Sequence, residues 1–300
     1  MQAVWMLLSA FFFASMGVVV KIASGYFNSA ELVFYRGVVG IVLMAAYAHV
    51  SGTSLRTALP AMHAWRSAIG VVSLSAWFYA IAHLPLATAM TLNYMSSVWI
   101  AAFLVGGTLM LGKSGQKGPS QGPLVMAILC SFAGVVMLLR PAMDQNQIFA
   151  GLIGLMSGLG AAFAYMQVMA ISRMGEPETR TVFYFAVGTA VAGAAAMLFT
   201  GLSPWNWWHA LWLPPLGLLA SLGQLCMTRA YAMSKNHSST LMVANLQYAG
   251  IVFSALYGLL VFGDNIPLLG WAGMALIIVS AIGASMLRAR AAPNAPAEEH

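Results

Sequence analysis

Ten runs of roughly twenty mainly apolar residues follow one another along the chain, at about 3–24, 30–50, 64–84, 86–111, 123–140, 148–171, 181–201, 211–233, 238–262 and 267–287. A bilayer core about 30 Å thick is crossed by about 20 helical residues, so each run is long enough to span one. Backbone amides in hydrocarbon must find partners within their own segment, which leaves the α-helix for runs of this kind. The connections are short and carry breakers: Pro85, the stretch from Lys113 to Pro123, Glu176-Pro177, Trp205-Asn206 and Asp264 to Pro267. Only 7% of residues are charged and 61% are hydrophobic, whereas a soluble domain needs about 25% charged residues to stay solvated. The expected fold class is therefore an all-α membrane protein with ten transmembrane helices. The first run has no basic segment ahead of it and is expected to stay as a span rather than be removed as a leader. Residues 291–300 are polar and Pro-rich, and read as a disordered tail.

The formal charge of +6 hints at nucleic acid until the basic residues are located. Arg56, Arg66, Lys113, Lys117, Arg173, Arg180, Arg229, Lys235, Arg288 and Arg290 fall on one side of the threaded spans. Lys21, Arg36 and Arg140 fall on the other. Such a bias places the first side, with both termini, in the cytoplasm. Trp205, Trp207, Trp208 and Trp212 cluster on the opposite side and suit an interfacial aromatic belt. Cys130 and Cys226 lie within apolar runs and read as inert buried thiols.

The two halves repeat. A shift of about 150 residues lays spans 1–5 on spans 6–10. Ser9 then falls on Ser157, Phe34-Tyr35 on Phe183-Tyr184, Tyr79 on Tyr231, Thr88 on Thr240 and Asn93 on Asn245. Ser131 and Gly134 fall on Ser280 and Gly283. Five spans is an odd number, so the second unit must enter the membrane from the other side. Residues 1–145 and 146–290 are thus expected to form two inverted five-helix repeats around a central cavity, the plan of an alternating-access carrier.

Polar residues in mid-span belong inside the bundle, because lipid will not solvate them. Helical spacing groups Gln224, Thr228 and Tyr231 on one face of span 8, Ser75 and Tyr79 on span 3, and Asn93 with Ser97 on span 4. Asn245 and Tyr248 share a face of span 9. With Tyr94 and Trp99 these give the expected substrate cavity: Tyr79, Asn93, Tyr94, Ser97, Trp99, Gln224, Tyr231, Asn245 and Tyr248. The alternative for the Asn pair is interhelical hydrogen bonding that holds the bundle together. Lys21 and Arg36 are the nearest approach to intramembrane charge, and with Glu31 they suit a gate or a contact to a substrate carboxylate. None of the seven carboxylates lies in mid-span, so exchange of protons through a buried acid has no carrier residue.

Four segments carry a family resemblance: Phe34-Tyr35-Arg36-Gly37, Leu84-Pro85-Leu86-Ala87-Thr88-Ala89, the run from Gly134 to Pro141, and Thr228-Arg229-Ala230-Tyr231-Ala232. In this order on a five-span repeat, they resemble the EamA-type branch of the drug/metabolite transporter superfamily, over nearly the whole length. Within that branch the chain looks most like YddG-type exporters of aromatic amino acids. The family commonly ends spans 4 and 9 with Gly-Glu; here the positions read Gly112-Lys113 and Gly263-Asp264, so no role of that Glu passes to Lys113. The resemblance implies export or import of small metabolites across the cytoplasmic (inner) membrane, through a central cavity lined mainly by spans 1–4 and 6–9, with spans 5 and 10 peripheral.

The expected function is export of small metabolites, aromatic amino acids or related compounds, by a monomer or weak homodimer whose partners are a small-molecule substrate and the lipid bilayer. Import of a vitamin or nucleobase by the same fold is the alternative, and an intramembrane enzyme or a scaffold a remote one. No phosphate loop, metal-ligand cluster or nucleophile–base pair stands out, so neither enzyme chemistry, nor a metal, nor a cofactor, nor nucleic acid is expected.

Overall fold

A computed structural model describes residues 2–96, 98–99, 122–139, 145–233, 243 and 245–291. The far half of span 4, the connection through Lys113, the first residues of span 9 and the tail beyond 291 lie outside them. Every regular element among the described residues is helical: α1 Gln2–Ala23, α2 Ser29–Ser51, α3 Pro60–His83, α4 Leu86–Tyr94, α5 Gly122–Leu139, α6 Gln145–Arg173, α7 Glu178–Thr200, α8 Leu213–Ala232, α9 Ala249–Tyr257 and α10 Leu268–Ala291. A single turn, Trp207–Ala210, precedes α8.

The breakers act where local chemistry demands. Asn28 caps α2 by accepting from Glu31 N–H, while the Glu31 carboxylate accepts from Asn28 N–H, a reciprocal capping box. At its other end Gly52 takes the left-handed conformation, φ 67°. Pro60 opens α3, where its missing N–H costs nothing. Pro85 separates α3 from α4, because the residue ahead of a proline is pushed out of helical geometry. Helix α9 widens into a π-helical turn over Gly258–Phe262, closed by Gly263 at φ 61°. The Asp264 N–H there donates to Gly258 O at 2.9 Å, which fixes the position of the Asp264 side chain.

Helices α1, α2, α6, α7 and the segment Trp207–Ala232 that contains α8 are long and apolar enough to cross a membrane. Helix α3 is as long but more polar, and buries His63, Arg66, Ser67 and Ser73. Apolar side chains cover the outside: Phe199 is 91% exposed, Leu198 85%, Leu260 82% and Val72 72%. Water does not tolerate so continuous an apolar surface, and a bilayer requires one.

Inside, α2 packs most extensively on α7, α3 on α6, α1 on α8 and α5 on α10. Small residues let the backbones meet. A methyl on Gly37 would collide with the backbone of Ala190 and lie 2.8 Å from Ala186 O, and one on Gly193 would lie 2.6 Å from Phe34 N. Close approach of this kind supplies the van der Waals contact that holds helices together where the solvent is itself apolar. Every residue of α4 is buried, as it is wedged among α6, α9, α3 and α1.

Candidate functional site

Short hydrogen bonds from small hydroxyl side chains lock the helices around the centre. Ser9 Oγ donates to Gly223 O at 2.8 Å and joins α1 to α8. Ser73 Oγ donates to Ser157 O at 2.7 Å and joins α3 to α6, and Asn93 Nδ2 donates to Ser157 Oγ at 3.1 Å. Gln247, just ahead of α9, donates from Nε2 to Tyr165 Oη at 3.0 Å.

Within this frame lies a cavity of about 500 Å³ between atoms, its mouth included. Only about 50 Å³ of it is free for an entering molecule, so the chamber is narrow as it stands. Helices α1, α2, α3, α4, α6, α7 and α8 all contribute to its wall. Phe13, Trp77, Tyr94, Tyr165 and Phe185 give it flat apolar faces, with Phe13 set edge-on to Trp77 at 6.3 Å. Asn93 and Gln224 supply amides.

Arg36 from α2 and Arg66 from α3 supply the charge. Arg36 is 5% exposed and Arg66 2%. Both guanidinium groups sit against the Phe185 ring, with Cζ 5.1 Å and 3.8 Å from its centroid, so the two Cζ atoms are within about 9 Å of one another. No ion pair or hydrogen bond joins either group to another described residue; Nε of Arg36 and Nε and Nη1 of Arg66 are buried without an acceptor. No carboxylate lies among the described lining residues. Gly70 creates the room, since a methyl there would stand 2.5 Å from Arg66 Nη1 and 2.8 Å from Phe185 Cε2. Two further buried donors, Trp77 Nε1 and Gln224 Nε2, also lack an acceptor. An aromatic-walled chamber whose unsatisfied groups are nearly all donors is built to receive acceptors and negative charge.

Of the residues expected from the sequence, Arg36, Asn93, Tyr94 and Gln224 meet at this cavity. Tyr79 turns away from it and stacks on His83 at 4.2 Å and edge-on to Phe149 at 6.1 Å. Trp99 lies beyond α4 and packs edge-on to Phe132 at 5.1 Å. Tyr231 is buried behind the wall, 6.3 Å from Tyr165. Asn245 is half-buried and Tyr248 buried, neither of them in the wall. The side chain of Ser97 lies outside the described residues. Thr228, on the face expected with Gln224, bonds back to Gln224 O at 2.8 Å and is fully buried.

The trio of Lys21, Glu31 and Arg36 does not assemble. Lys21 Nζ instead contacts both Asp264 carboxylate oxygens at 3.3 Å and donates to Leu84 O at 3.2 Å. Asp264 Oδ2 also accepts from Leu86 N–H at 3.1 Å, so one carboxylate ties α1, α4 and the α9–α10 connection together at that end of the bundle. Glu31 accepts from Ser203 N–H at 3.0 Å and from the Ser203 hydroxyl at 2.5 Å, which spends its charge on the α7–α8 connection.

A second polar cluster closes the opposite end. Glu176, between α6 and α7, accepts from the Thr57 hydroxyl at 2.6 Å and from Arg180 Nη1 at 2.7 Å, with His63 Nε2 3.9 Å away. Arg180 also donates to Ser54 O. Burial alone raises the pKa of a carboxylate. Here the Thr57 and Arg180 hydrogen bonds outweigh it, aided by the Arg180 charge, and hold Glu176 below its ordinary value.

Arg66 is the principal lining residue that the sequence reading assigns elsewhere, to the basic side of the membrane. Its signal is helical: Arg66, Gly70, Ser73 and Trp77 recur at i, i+4, i+7 and i+11 on one stripe of α3. All four line the cavity, whereas the neighbouring Ser75–Tyr79 stripe does not.

A family profile described as the EamA-like transporter family matches residues 1–140. The chain is 30% identical to the pseudopaline exporter of Pseudomonas aeruginosa, over 93% of each protein. It is 26% identical to a riboflavin transporter of Rhizobium johnstonii, over 93% of this chain and 89% of that one. A crystal structure of 18% identity superposes with a TM-score of 0.66, covering 96% of this chain and 97% of the other, a likeness of fold. With a multi-pass apolar bundle and a central small-molecule chamber, the chain belongs to the EamA-like transporter family.

Proposed function

We propose that the chain is an alternating-access exporter of small amino-acid-like metabolites, set in the cytoplasmic membrane with both termini inside. Residues 1–145 and 146–290 form its two inverted repeats. The observation that carries this reading is the cavity itself, whose wall draws on both halves and joins flat aromatic faces to unpaired guanidinium groups. Aromatic faces suit a planar side chain and a guanidinium suits its carboxylate, which favours aromatic amino acids and their relatives.

The helix pairings support the inverted repeat. If spans 1–5 correspond to spans 6–10, the α1–α8 contact should have a counterpart in α6–α3, α2–α8 in α7–α3, and α1–α9 in α6–α4. All six contacts are present. The pairs α2–α7, α4–α9 and α5–α10 map onto themselves and are present as well. In the same register Arg36 falls on Phe185, so the cation–π contact lies close to the axis that exchanges the halves. Polar clusters at both ends, one on Asp264 and one on Glu176, suit a cavity sealed on each side in turn.

The test is efflux of labelled phenylalanine and tryptophan from proteoliposomes, with unlabelled competitors, with and without an imposed proton gradient. Saturable flux that competing aromatic acids block, and that the gradient leaves unaltered, is the expected result. Accumulation driven by the proton gradient would remove the reading of transport without a buried acid. Import of a vitamin is the second reading, favoured by the riboflavin transporters among the relatives. Competition by riboflavin but not by amino acids selects it.

A further inference from the structure

We infer that Arg36 and Arg66 form a two-cation clamp, and that the carried substrate is an organic acid with two ionised acid groups on a short, partly flat body. This rests on the carrier reading and narrows its substrate from amino-acid zwitterions to relatives with a second acid group. Two guanidinium groups share one ring face-neighbour, Phe185, and the cavity offers them no carboxylate among the described residues. Cation–π contact satisfies the charge in part but leaves the N–H groups without acceptors, and three of those nitrogens are buried and empty-handed. Uncompensated buried charge is destabilising unless a counter-ion arrives, and the counter-ion that best fits the fork of an arginine is a carboxylate bound through two oxygens.

The same geometry weighs against simpler occupants. A neutral zwitterion brings one carboxylate for two guanidinium groups. Its ammonium would meet donors from Trp77 Nε1 and Gln224 Nε2 rather than an acid. A small inorganic anion would leave the aromatic wall of Phe13, Trp77 and Tyr165 unused. With the guanidinium carbons within about 9 Å, a spacer of a few bonds lets one acid group dock on each arginine while the body lies against the rings. Arg36 and Arg66 enter from α2 and α3, two helices that both pack on α7, so the occupant would also tie these three helices together.

The probes are phenylsuccinate, with two carboxylates, and 3-phenylpropionate, with one, on the same ring. Binding is read from ligand-induced thermal stabilisation of the full chain in detergent, and transport from counterflow in proteoliposomes. The dicarboxylate should bind about ten- to a hundredfold more tightly than the monocarboxylate. Arg36→Gln and Arg66→Gln should each bring the dicarboxylate down to the level of the monocarboxylate, and the double variant should lose both. If either Gln variant fails to fold, the Arg→Lys variants serve; they keep the charge, lose the fork and should fall between. Equal binding of the two acids, a preference that survives in both single variants, or no binding of either would overturn the clamp. Saturable phenylsuccinate counterflow that both Gln variants leave intact overturns the clamp and leaves the carrier reading standing, whereas the absence of saturable flux of either phenylsuccinate or phenylalanine overturns the carrier reading.

Discussion

The Lys21–Asp264 pair gives the most direct test of how the bundle opens. The two groups are 3.3 Å apart, with side chains 18% and 13% exposed. At an effective dielectric constant near 20, unit charges at this distance attract by about 5 kcal/mol. Desolvation of both groups offsets more than half of that, because neither retains its full hydration. Asp264→Asn keeps an acceptor for Leu86 N–H but removes the charge, and leaves Lys21 with the Leu84 carbonyl and the face of the Phe262 ring. A loss of about 2 kcal/mol is expected, between the values for exposed pairs and for fully buried pairs broken at one partner. If this contact holds its end of the cavity closed, the closed-to-open ratio falls about thirtyfold. The assay places one cysteine at Leu74 in the cavity wall, in a background without Cys130 and Cys226, and times its reaction with a membrane-impermeant thiol reagent added from the Lys21 side. Asp264→Asn should speed labelling by about thirtyfold. Adding Lys21→Met, which removes the stranded charge, should recover much of the closed state. Unchanged labelling in Asp264→Asn, or a double variant as open as the single one, would refute the latch.

Three further outcomes follow from particular contacts. Gly70→Ala should reduce flux about tenfold while the unfolding temperature stays within a few degrees, because the new methyl displaces the flexible Arg66 tip and crowds Phe185 while the backbone stays put. Gly37→Ala meets the backbone of Ala190 and Ala186, which cannot yield, so α2 and α7 must part; a loss of about 1–3 kcal/mol should appear as a lower unfolding temperature, with Gly25→Ala as the silent control. Glu176 has a folded pKa below its ordinary value of 4.5, so its contribution is complete above that value and is lost as the pH falls through the depressed one. Labelling of the same Leu74 cysteine from the Glu176 side should therefore quicken only in acid below about pH 4.5, and Glu176→Gln should make it fast and independent of pH.

Much of the architecture was legible because bilayer physics narrows the choices. Runs of about twenty apolar residues admit little but helices. Their ends at Asn28, Gly52, Pro60 and Pro85 carry ordinary cap and breaker chemistry. Mid-span polar groups were also informative one by one: Asn93 and Gln224 do reach the cavity, and Asn93 serves the bundle too through its bond to Ser157. Less legible was which of two adjacent stripes on a helix faces inward. Ser75–Tyr79 and Ser73–Trp77 have the same periodicity, and the rotation of α3 that selects between them is set elsewhere, where Ser67 fills the space that a side chain on Gly188 would need. Pairings across more than two hundred residues, such as Lys21 with Asp264, depend on the π-helical turn that ends α9, and no local pattern announces that turn.

Arg66 shows the deeper reason. Charge counting assigns it to a membrane face, and by that rule it is one of ten equivalent cations. What distinguishes it is that its guanidinium has a ring beside it but no hydrogen-bond acceptor or acid among the described residues, together with a glycine one turn away that keeps the space open. An absence of this kind has no sequence signature, since it depends on where distant acids have gone; among the described residues, Glu31 goes to Ser203, Glu176 to Thr57 and Arg180, and Asp264 to Lys21. The acids that serve the described structure are spent at the two ends of the bundle, and the centre is left positive. A carrier that must release its cargo cannot satisfy its own binding groups, so under the proposed clamp the two arginines are where function takes precedence over stability.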